Sequence, residues 1–258
     1  MGISLKNLNV LVTGASSGIG EACAAAFARE GSNLLLAARR KDRIEKLARS
    51  LEDAHRVMTH GFVLDVRNQQ EVEKAIASLP PAWDHIDILV NNAGLSRGLT
   101  KLHDGEIRDW EEMIDTNVKG LLYVTRAVLP GMVKRNSGHV INMGSIAGHE
   151  LYPNGNVYCA SKFAVAAISK GLRMDLLGTN VRVSSVDPGL VETEFSQVRF
   201  RGDMTRASQT YLNMRPLRGE DVAEAVIFCA TRPPHVDIEQ LIVMPTDQAS
   251  VTHVHRSA

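Results

Sequence analysis

Tyr158 and Lys162 stand four residues apart in "VYCASKFAVAAISKGLRMDL", residues 157–176. The composition of this stretch and its apolar stripe, Ala160, Phe163, Ala167 and Ile168, predict a helix, and residues four apart on a helix share a face. A phenol with its ordinary pKa of about 10 is a poor base at neutral pH, but an ammonium beside it stabilises the phenolate. The pair therefore suits general acid/base work. Tyr and Lys one turn apart also occur as plain surface pairs, so the residues around them must decide. Ser145 closes the apolar run "GHVINMGS" at 138–145, where its hydroxyl can hold a substrate oxygen beside Tyr158.

Those side chains need a scaffold, and its outline runs along the whole chain. Short apolar runs at 9–14, 32–38, 60–66, 85–92, 138–145 and 181–189 are each too short for a helix, and most are bounded by Gly, Asn or Asp. Helix-period stretches lie between them, such as 20–31, which stops at Gly31, and 43–53, with Ile44, Leu47 and Leu51. Apolar strands alternating with helices predict an α/β fold, a doubly wound Rossmann-type parallel sheet with helices on both faces. No internal repeat, low-complexity linker or composition break interrupts it, so residues 1–258 read as one domain. The polar, unpatterned end, about 245–258, is expected to be a surface arm.

Composition removes several functions. Lys plus Arg and Asp plus Glu number 29 each, so no net field draws in nucleic acid or an anionic membrane. No apolar run approaches the roughly 18 residues of a membrane span, and the start lacks a charged leader, which points to the cytoplasm. Myristoylation is disfavoured because Lys6 stands where Ser or Thr is needed. Cys23, Cys159 and Cys229 lack metal-ligand spacing and sit among small or apolar residues, as reduced core thiols do. The histidines form no HExxH or Cys/His cluster, so no catalytic metal is expected.

The run at 9–14 leads into "TGASSGIGEA", with Gly14, Gly18 and Gly20 in the turn before a helix. Glycine lets the backbone bend and approach a phosphate, and the helix N-terminus attracts the anion. Thr13, Ser16 and Ser17 would add hydroxyl donors. The spacing is Gly-x3-Gly-x-Gly rather than GxGxxG, so the turn alone can also be a tight strand-to-helix connection. In such a fold the second strand ends at the adenosine ribose, where an acid takes the 2'-hydroxyl of NAD and an arginine the 2'-phosphate of NADP. Here "LLLAARRK" puts Ala37 and Ala38 at that end, followed by Arg39, Arg40 and Lys41. A guanidinium suits a phosphate dianion, which selects NADP(H). Within this group Arg39 follows the acid's place directly, Arg40 either stacks on adenine or shares the phosphate, and Lys41 faces solvent. The alternative is a solvated charge cluster, but cations at a helix N-terminus oppose its dipole. Asp65, ending the third run, would accept from the adenine amino group; Asn91, Asn92, Ala93 and Gly94 end the fourth at the ligand edge of the sheet.

Thr13-Gly-x3-Gly-x-Gly20, "NNAG" at 91–94, Asn117 in "DTNVKG", Ser145, Tyr158-x3-Lys162 and Pro188-Gly189 resemble, in order and spacing, the short-chain dehydrogenase/reductase family over almost the whole chain. The resemblance implies a seven-stranded, mainly parallel sheet and a homotetramer. It also implies roles: Tyr158 as general acid/base, Ser145 orienting the reacting oxygen, Lys162 binding the nicotinamide ribose and lowering the tyrosine pKa, and Asn117 anchoring a water in a proton relay. Cofactor contacts implied in the same way are Gly14, Ser16, Ser17, Gly18, Ile19, Gly20, Arg39, Arg40, Asp65, Val66, Asn92, Ala93, Gly94, Tyr158, Lys162, Pro188, Gly189, Val191 and Thr193. Within the family, "ASLPPAWDHIDILVNNAGL", "MIDTNVKGLLYVTRAVLPGMVKRNSGHVINMGSIAG" and "TEFSQVRFRGD" look most like the bacterial NADP-dependent 3-hydroxy acid dehydrogenases, and related enzymes reduce sulfoacetaldehyde.

After Pro188-Gly189 a polar stretch, about 190–216, breaks the strand–helix rhythm and is expected to form a mobile lid. A small anionic substrate needs one fixed guanidinium, and Arg199, between Val198 and Phe200, is the lid arginine expected to turn inward rather than Arg201 or Arg206. His149, Leu151 and Tyr152 are candidates for the pocket wall, with Ser145, Tyr158, Tyr152 and Arg199 as substrate contacts. The leading reading is an oxidoreductase for a short 3-hydroxy acid such as serine or 3-hydroxypropionate. Reduction of sulfoacetaldehyde to isethionate, or of larger ketones, differs only in the pocket; a non-catalytic NADP sensor is the rival from another class, and the intact Ser, Tyr, Lys and Asn set argues against it.

Overall fold

The apolar runs become strands hidden on both faces. In the computed structural model, which describes residues 2–257, β1 (Asn9–Thr13), β2 (Asn33–Ala38), β3 (Thr59–Val63), β4 (Ile88–Asn91), β5 (Gly138–Met143), β6 (Val181–Pro188) and β7 (Gln240–Val243) form one parallel sheet in the order β3-β2-β1-β4-β5-β6-β7. Met1 and Ala258, the ends of the expected 1–258 domain, lie outside the described residues. Every residue of β1, β2, β4 and β6 is buried, whereas the edge strands β3 and β7 are partly exposed. Parallel strands covered by helices on both sides need no polar face, which is why they read as unbroken apolar runs.

The helices are α1 (Gly18–Arg29), α2 (Lys41–His55), α3 (Gln69–Ala77), α4 (Ile107–Ile114), α5 (Leu121–Arg135), α6 (Asn156–Asp175), α7 (Phe195–Arg199), α8 (Met204–Gln209) and α9 (Gly219–Ala230). Successive strand residues point to opposite faces, so Val10, Val12, Leu34 and Leu36 pack with Cys23 and Phe27 of α1 and Val222 and Val226 of α9. Leu11, Leu35 and Leu89 pack on the other face with Val72 of α3 and Val124, Val128 and Met132 of α5. Each fully buried side chain of this size contributes about 1.5–3 kcal/mol, and the two layers clamp the strand ends that carry the site.

Several expectations shift. The third strand stops at Val63, leaving Asp65 in the following turn, and the fifth at Met143, leaving Ser145 to cap a short 3-10 turn over Ile146–Gly148. Asn117 falls in a π-helical segment, Asp115–Gly120, between α4 and α5. The lid contains two short helices, α7 and α8. The C-terminal segment is mostly exposed but tethered at several points. Gln248 is buried, and its Oε1 accepts from Leu190 N at 2.8 Å; Val251 N donates to Glu150 at 2.9 Å, and Ser257 N to Asn213 O at 2.8 Å. A polar sequence is held this way because its backbone and amide groups find partners on the lid and at Glu150.

All three cysteines are buried and free. Burial pushes the Cys23 thiol up to about 12 and that of Cys229 up to about 11, and raises that of Cys159. Among the described residues no helix is long and apolar enough to cross a membrane, and no group of three or more His, Cys, Asp or Glu is placed to hold a metal ion.

Candidate active site

A cavity of about 700 Å³ opens at the carboxyl ends of β1, β2, β4, β5 and β6, the edge where ligands bind in open α/β sheets. Gly14, Ser16, Ser17, Gly18, Ile19, Arg39, Arg40, Asp65, Val66, Asn92, Ala93, Gly94, Ser145, Tyr152, Tyr158, Lys162, Pro188, Gly189, Val191, Thr193 and Arg199 all line it. Asn117, by contrast, stands behind the wall. The site residues thus come from the ends of β1 to β6 and from the lid.

At the phosphate end the chain is held by contacts that leave no room for a side chain. Gly14 has φ +66°, and a Cβ on Gly20 would lie 2.4 Å from both Asn92 Nδ2 and Gly14 O. Asn92 Nδ2 donates to Thr13 O at 3.0 Å, while the Thr13 hydroxyl accepts from Asn92 N and Ala93 N, each at 3.0 Å. Thr13 is therefore a stitch between β1 and β4, not the phosphate donor expected of it. Thr193 of the lid packs on Gly18. The resulting turn exposes backbone and hydroxyls at the N-terminus of α1, where an anion is favoured.

The cations after β2 divide their work. Arg39 is exposed on the cavity wall. Arg40 is more confined: its Nε donates to Ser16 Oγ at 3.1 Å, its Nη2 to Ser17 Oγ at 2.6 Å, and its Nη1 to Glu194 at 2.7 Å. Arg43 also pairs with Glu194, at 2.6 Å, and the two arginines hold that carboxyl below the usual range. Lys41 pairs loosely with Glu45 at 3.6 Å on the surface, in line with its expected solvent face. Asp65 is already engaged in a bidentate pair with Arg67, at 2.5 Å, which lowers its pKa. Glu194 and Arg67 escaped the sequence reading because neither belongs to a motif. Glu194 meets arginines more than 150 positions away.

At the chemical end α6 delivers Tyr158 and Lys162, both almost fully buried. Asn117 is also buried; its Oδ1 accepts from Leu95 N at 2.8 Å and its Nδ2 donates to Leu95 O at 2.8 Å and Ser161 Oγ at 3.0 Å. Both N–H groups and one lone pair of the amide are thereby engaged in fixing the wall above Gly94. The Lys162 Nζ donates to Met143 O at 2.8 Å and lies 6.0 Å from the Tyr158 ring centroid. Burial pulls its pKa down to about 8, against the pull of Asp187.

The electrostatics of Tyr158 differ from expectation. Burial raises its pKa, and the charge opposing this most strongly is that of Arg199, followed by the Ser145 hydroxyl. The Arg199 guanidinium carbon lies 5.4 Å from the Tyr158 ring centroid, 5.1 Å from that of Phe195 and 6.0 Å from that of Tyr152. Its Nη2 donates to the Tyr152 hydroxyl at 3.1 Å, and its buried Nε has no partner. A half-buried guanidinium with a buried, unused N–H, walled by aromatic faces, is a seat for an anion. Arg201 instead pairs with Asp109, and Arg206 lies 4.5 Å from the Phe200 ring centroid. Of the loop candidates only Tyr152 reaches the cavity: Leu151 is exposed and His149 turns away to Asp187 at 2.6 Å.

Known proteins resemble this arrangement throughout. The family model described as short chain dehydrogenase matches residues 8–203. The NADP-dependent 3-hydroxy acid dehydrogenase YdfG of Escherichia coli (strain K12) is 50% identical over 249 residues, 96% of this chain and 99% of that protein. Sulfoacetaldehyde reductase 2 of Chromohalobacter salexigens is 46% identical over 241 residues, 93% of this chain and 95% of that protein. The closed form of serine dehydrogenase complexed with NADP+ superposes with a TM-score of 0.91 at 49% identity, covering 97% of this chain and 100% of that one.

Proposed function

We propose, since the chain belongs to the short-chain dehydrogenase family, that it is an NADP-dependent oxidoreductase interconverting a short anionic 3-hydroxy acid, such as serine or 3-hydroxypropionate, and its carbonyl form. The observation that carries the substrate class is Arg199, half-buried against Tyr158 and Tyr152 with a buried, unpartnered Nε. The likeness to 3-hydroxy acid and serine dehydrogenases supports it.

The residues present fit NADP(H). A glycine turn too tight for any Cβ at position 20 offers its amides to the pyrophosphate, and Arg39 and Arg40 would take the 2'-phosphate. Gly14, Ser16, Ser17, Gly18, Ile19, Asp65, Val66, Asn92, Ala93, Gly94, Pro188, Gly189, Val191 and Thr193 would line the rest, with Lys162 on the nicotinamide ribose. When bound, the cofactor gives or accepts the hydride. Tyr158 gives or takes the proton at the substrate oxygen, which the Ser145 hydroxyl orients. Arg199 has two effects on that proton. Unoccupied, its charge eases ionisation of the phenol; neutralised by a substrate anion, it leaves Tyr158 protonated, the state needed to protonate a carbonyl. We assign the chain one catalytic domain and a homotetrameric assembly, the latter supported by exposed Leu122 on α5 and Phe163 and Met174 on α6.

The test follows NADPH and NADP+ absorbance with L-serine, 3-hydroxypropionate, malonic semialdehyde and sulfoacetaldehyde, with NADH and NAD+ as controls. Turnover of the carboxylates with the phosphorylated cofactor is expected, and Tyr158→Phe should lower kcat by about 1000-fold. Sulfoacetaldehyde outrunning the carboxylates would assign the enzyme to its other relative. Silence with all four would end the substrate reading, and a Tyr158→Phe variant above a tenth of wild type would end the proton role.

A further inference from the structure

The lid helix α7 is only five residues long and cannot satisfy its own last carbonyls. Ser196, Gln197 and Val198 O accept from Phe200, Gly202 and Arg201 N just past the helix, and the last two carbonyls, of Val198 and Arg199, meet donors from residues 97 and 98. Arg97 donates through Nη1 to Val198 O, and the next residue, Gly98, donates its N–H to Arg199 O at 2.9 Å from a backbone with φ +60°. The rest of the Arg97 guanidinium grips Glu112 of α4 in a fork, Nε to Oε2 at 2.7 Å and Nη2 to Oε1 at 3.0 Å. Both side chains are mostly buried, 14% and 17% exposed, and Glu112 also lies 3.8 Å from Arg67. One helical turn before Glu112, Asp109 takes Arg201.

Arg199 therefore sits between two anchors that both end on α4. Its carbonyl and that of Val198 are fixed by residues 97 and 98, and the chain beyond it by Asp109. None of these groups lines the cavity except Val198. A guanidinium side chain on a five-residue helix has many rotamers, and fixing the peptide on both sides is what aims it at Tyr158 and Tyr152.

We propose that Arg97 and Glu112 are positioning residues: the pair holds the end of α7 on α4 so that Arg199 meets the substrate anion. This rests on the reading of Arg199 given above. Glu112 is suited to the task because hydrogen bonding from Arg97 keeps its carboxyl ionised, below its usual range.

The test is a double-mutant cycle on the full-length enzyme, oxidising 3-hydroxypropionate and the uncharged 1,3-propanediol with NADP+. Arg199→Met should raise KM for 3-hydroxypropionate about 50-fold, and Arg97→Met about tenfold; for Arg97→Met, which leaves the Arg199 charge in place, kcat should stay within threefold of wild type and KM for 1,3-propanediol should be unchanged. In the Arg199→Met background the Arg97→Met change should add nothing. Glu112→Gln, which keeps the shape of the pair, should raise the same KM about threefold and guards against misfolding of the harsher variant. If Arg199→Met leaves KM for 3-hydroxypropionate unchanged, the anion reading itself is wrong. If Arg199→Met raises it but Arg97→Met and Glu112→Gln do not, or their effects multiply with that of Arg199→Met, the pair is a structural clamp and the proposal fails while the reading stands.

Discussion

The phosphate turn and the lid face each other across one cavity and are held by different means. The turn is fixed by backbone: Gly14 with positive φ, Gly20 with no space for a Cβ, and Thr13 and Asn92 sewing β1 to β4. The lid is fixed by ion pairs that reach it from elsewhere, Glu194 with Arg40 and Arg43, Arg97 with Glu112, and Arg201 with Asp109. The difference teaches where change is tolerated. Backbone packed against backbone has no spare conformation, whereas the half-exposed pairs of Glu194 with Arg40 and Arg43 contribute little stability each and mainly set direction.

The largest effect expected from this contrast lies where the two regions meet, at Lys162. Its amine is buried on the backbone side, with a pKa near 8 instead of the ordinary 10.5. A base whose folded-state pKa is depressed penalises folding fully below the folded value, less and less between the two values, and not at all above the unfolded one. Stability relative to Lys162→Met should therefore climb by about 3 kcal/mol from pH 8 to 10.5, measured by urea unfolding of the cofactor-free proteins. Parallel curves would mean that the amine stays solvated and that the catalytic wall is less closed than described.

Next comes the turn itself. Gly20→Ala should destabilise by about 2 kcal/mol, even after the gain in helix propensity, because the methyl meets Asn92 and the Gly14 carbonyl. NADPH binding should weaken in parallel, read by fluorescence titration. The smallest effect belongs to the lid: Glu194→Gln should change stability by less than about 0.5 kcal/mol, since all three charged groups are about a third or more exposed. A larger loss for Glu194→Gln than for Gly20→Ala would invert the contrast.

The same contrast explains what the sequence revealed. Strand positions showed through because a strand buried on both faces must be apolar throughout, and Tyr158, Lys162 and Ser145 because their spacing is local. β7 did not, being four residues of a half-exposed edge, and neither did α7 and α8, whose helical turns are short and polar. The turn glycines were legible as residues needing special backbone, but the partners of Thr13 and Asn92 were not. What stayed hidden depends on distance in the chain: Glu194 on Arg40, Arg97 on Val198, Gln248 on Leu190. A second electrostatic neighbour of Tyr158, Arg199, stayed hidden for the same reason. One turn of helix makes Lys162 its neighbour in sequence, whereas Arg199 reaches the ring only through the fold of the 190–216 segment.

The buried thiols bear on the lifetime of an oxidoreductase acting on CH–OH groups, whose reaction has a carbonyl compound on one side. Carbonyl compounds add to thiolates, and a protein that concentrates them in its own cavity exposes itself to adducts. Cys159 is the chain neighbour of Tyr158, yet its side chain is fully buried in the packing beneath α6, with its thiol held in the protonated form. Cys23 and Cys229 lie deeper still, behind the sheet. The catalyst thus handles an electrophile without presenting a soft nucleophile to it, a built-in protection against self-inactivation.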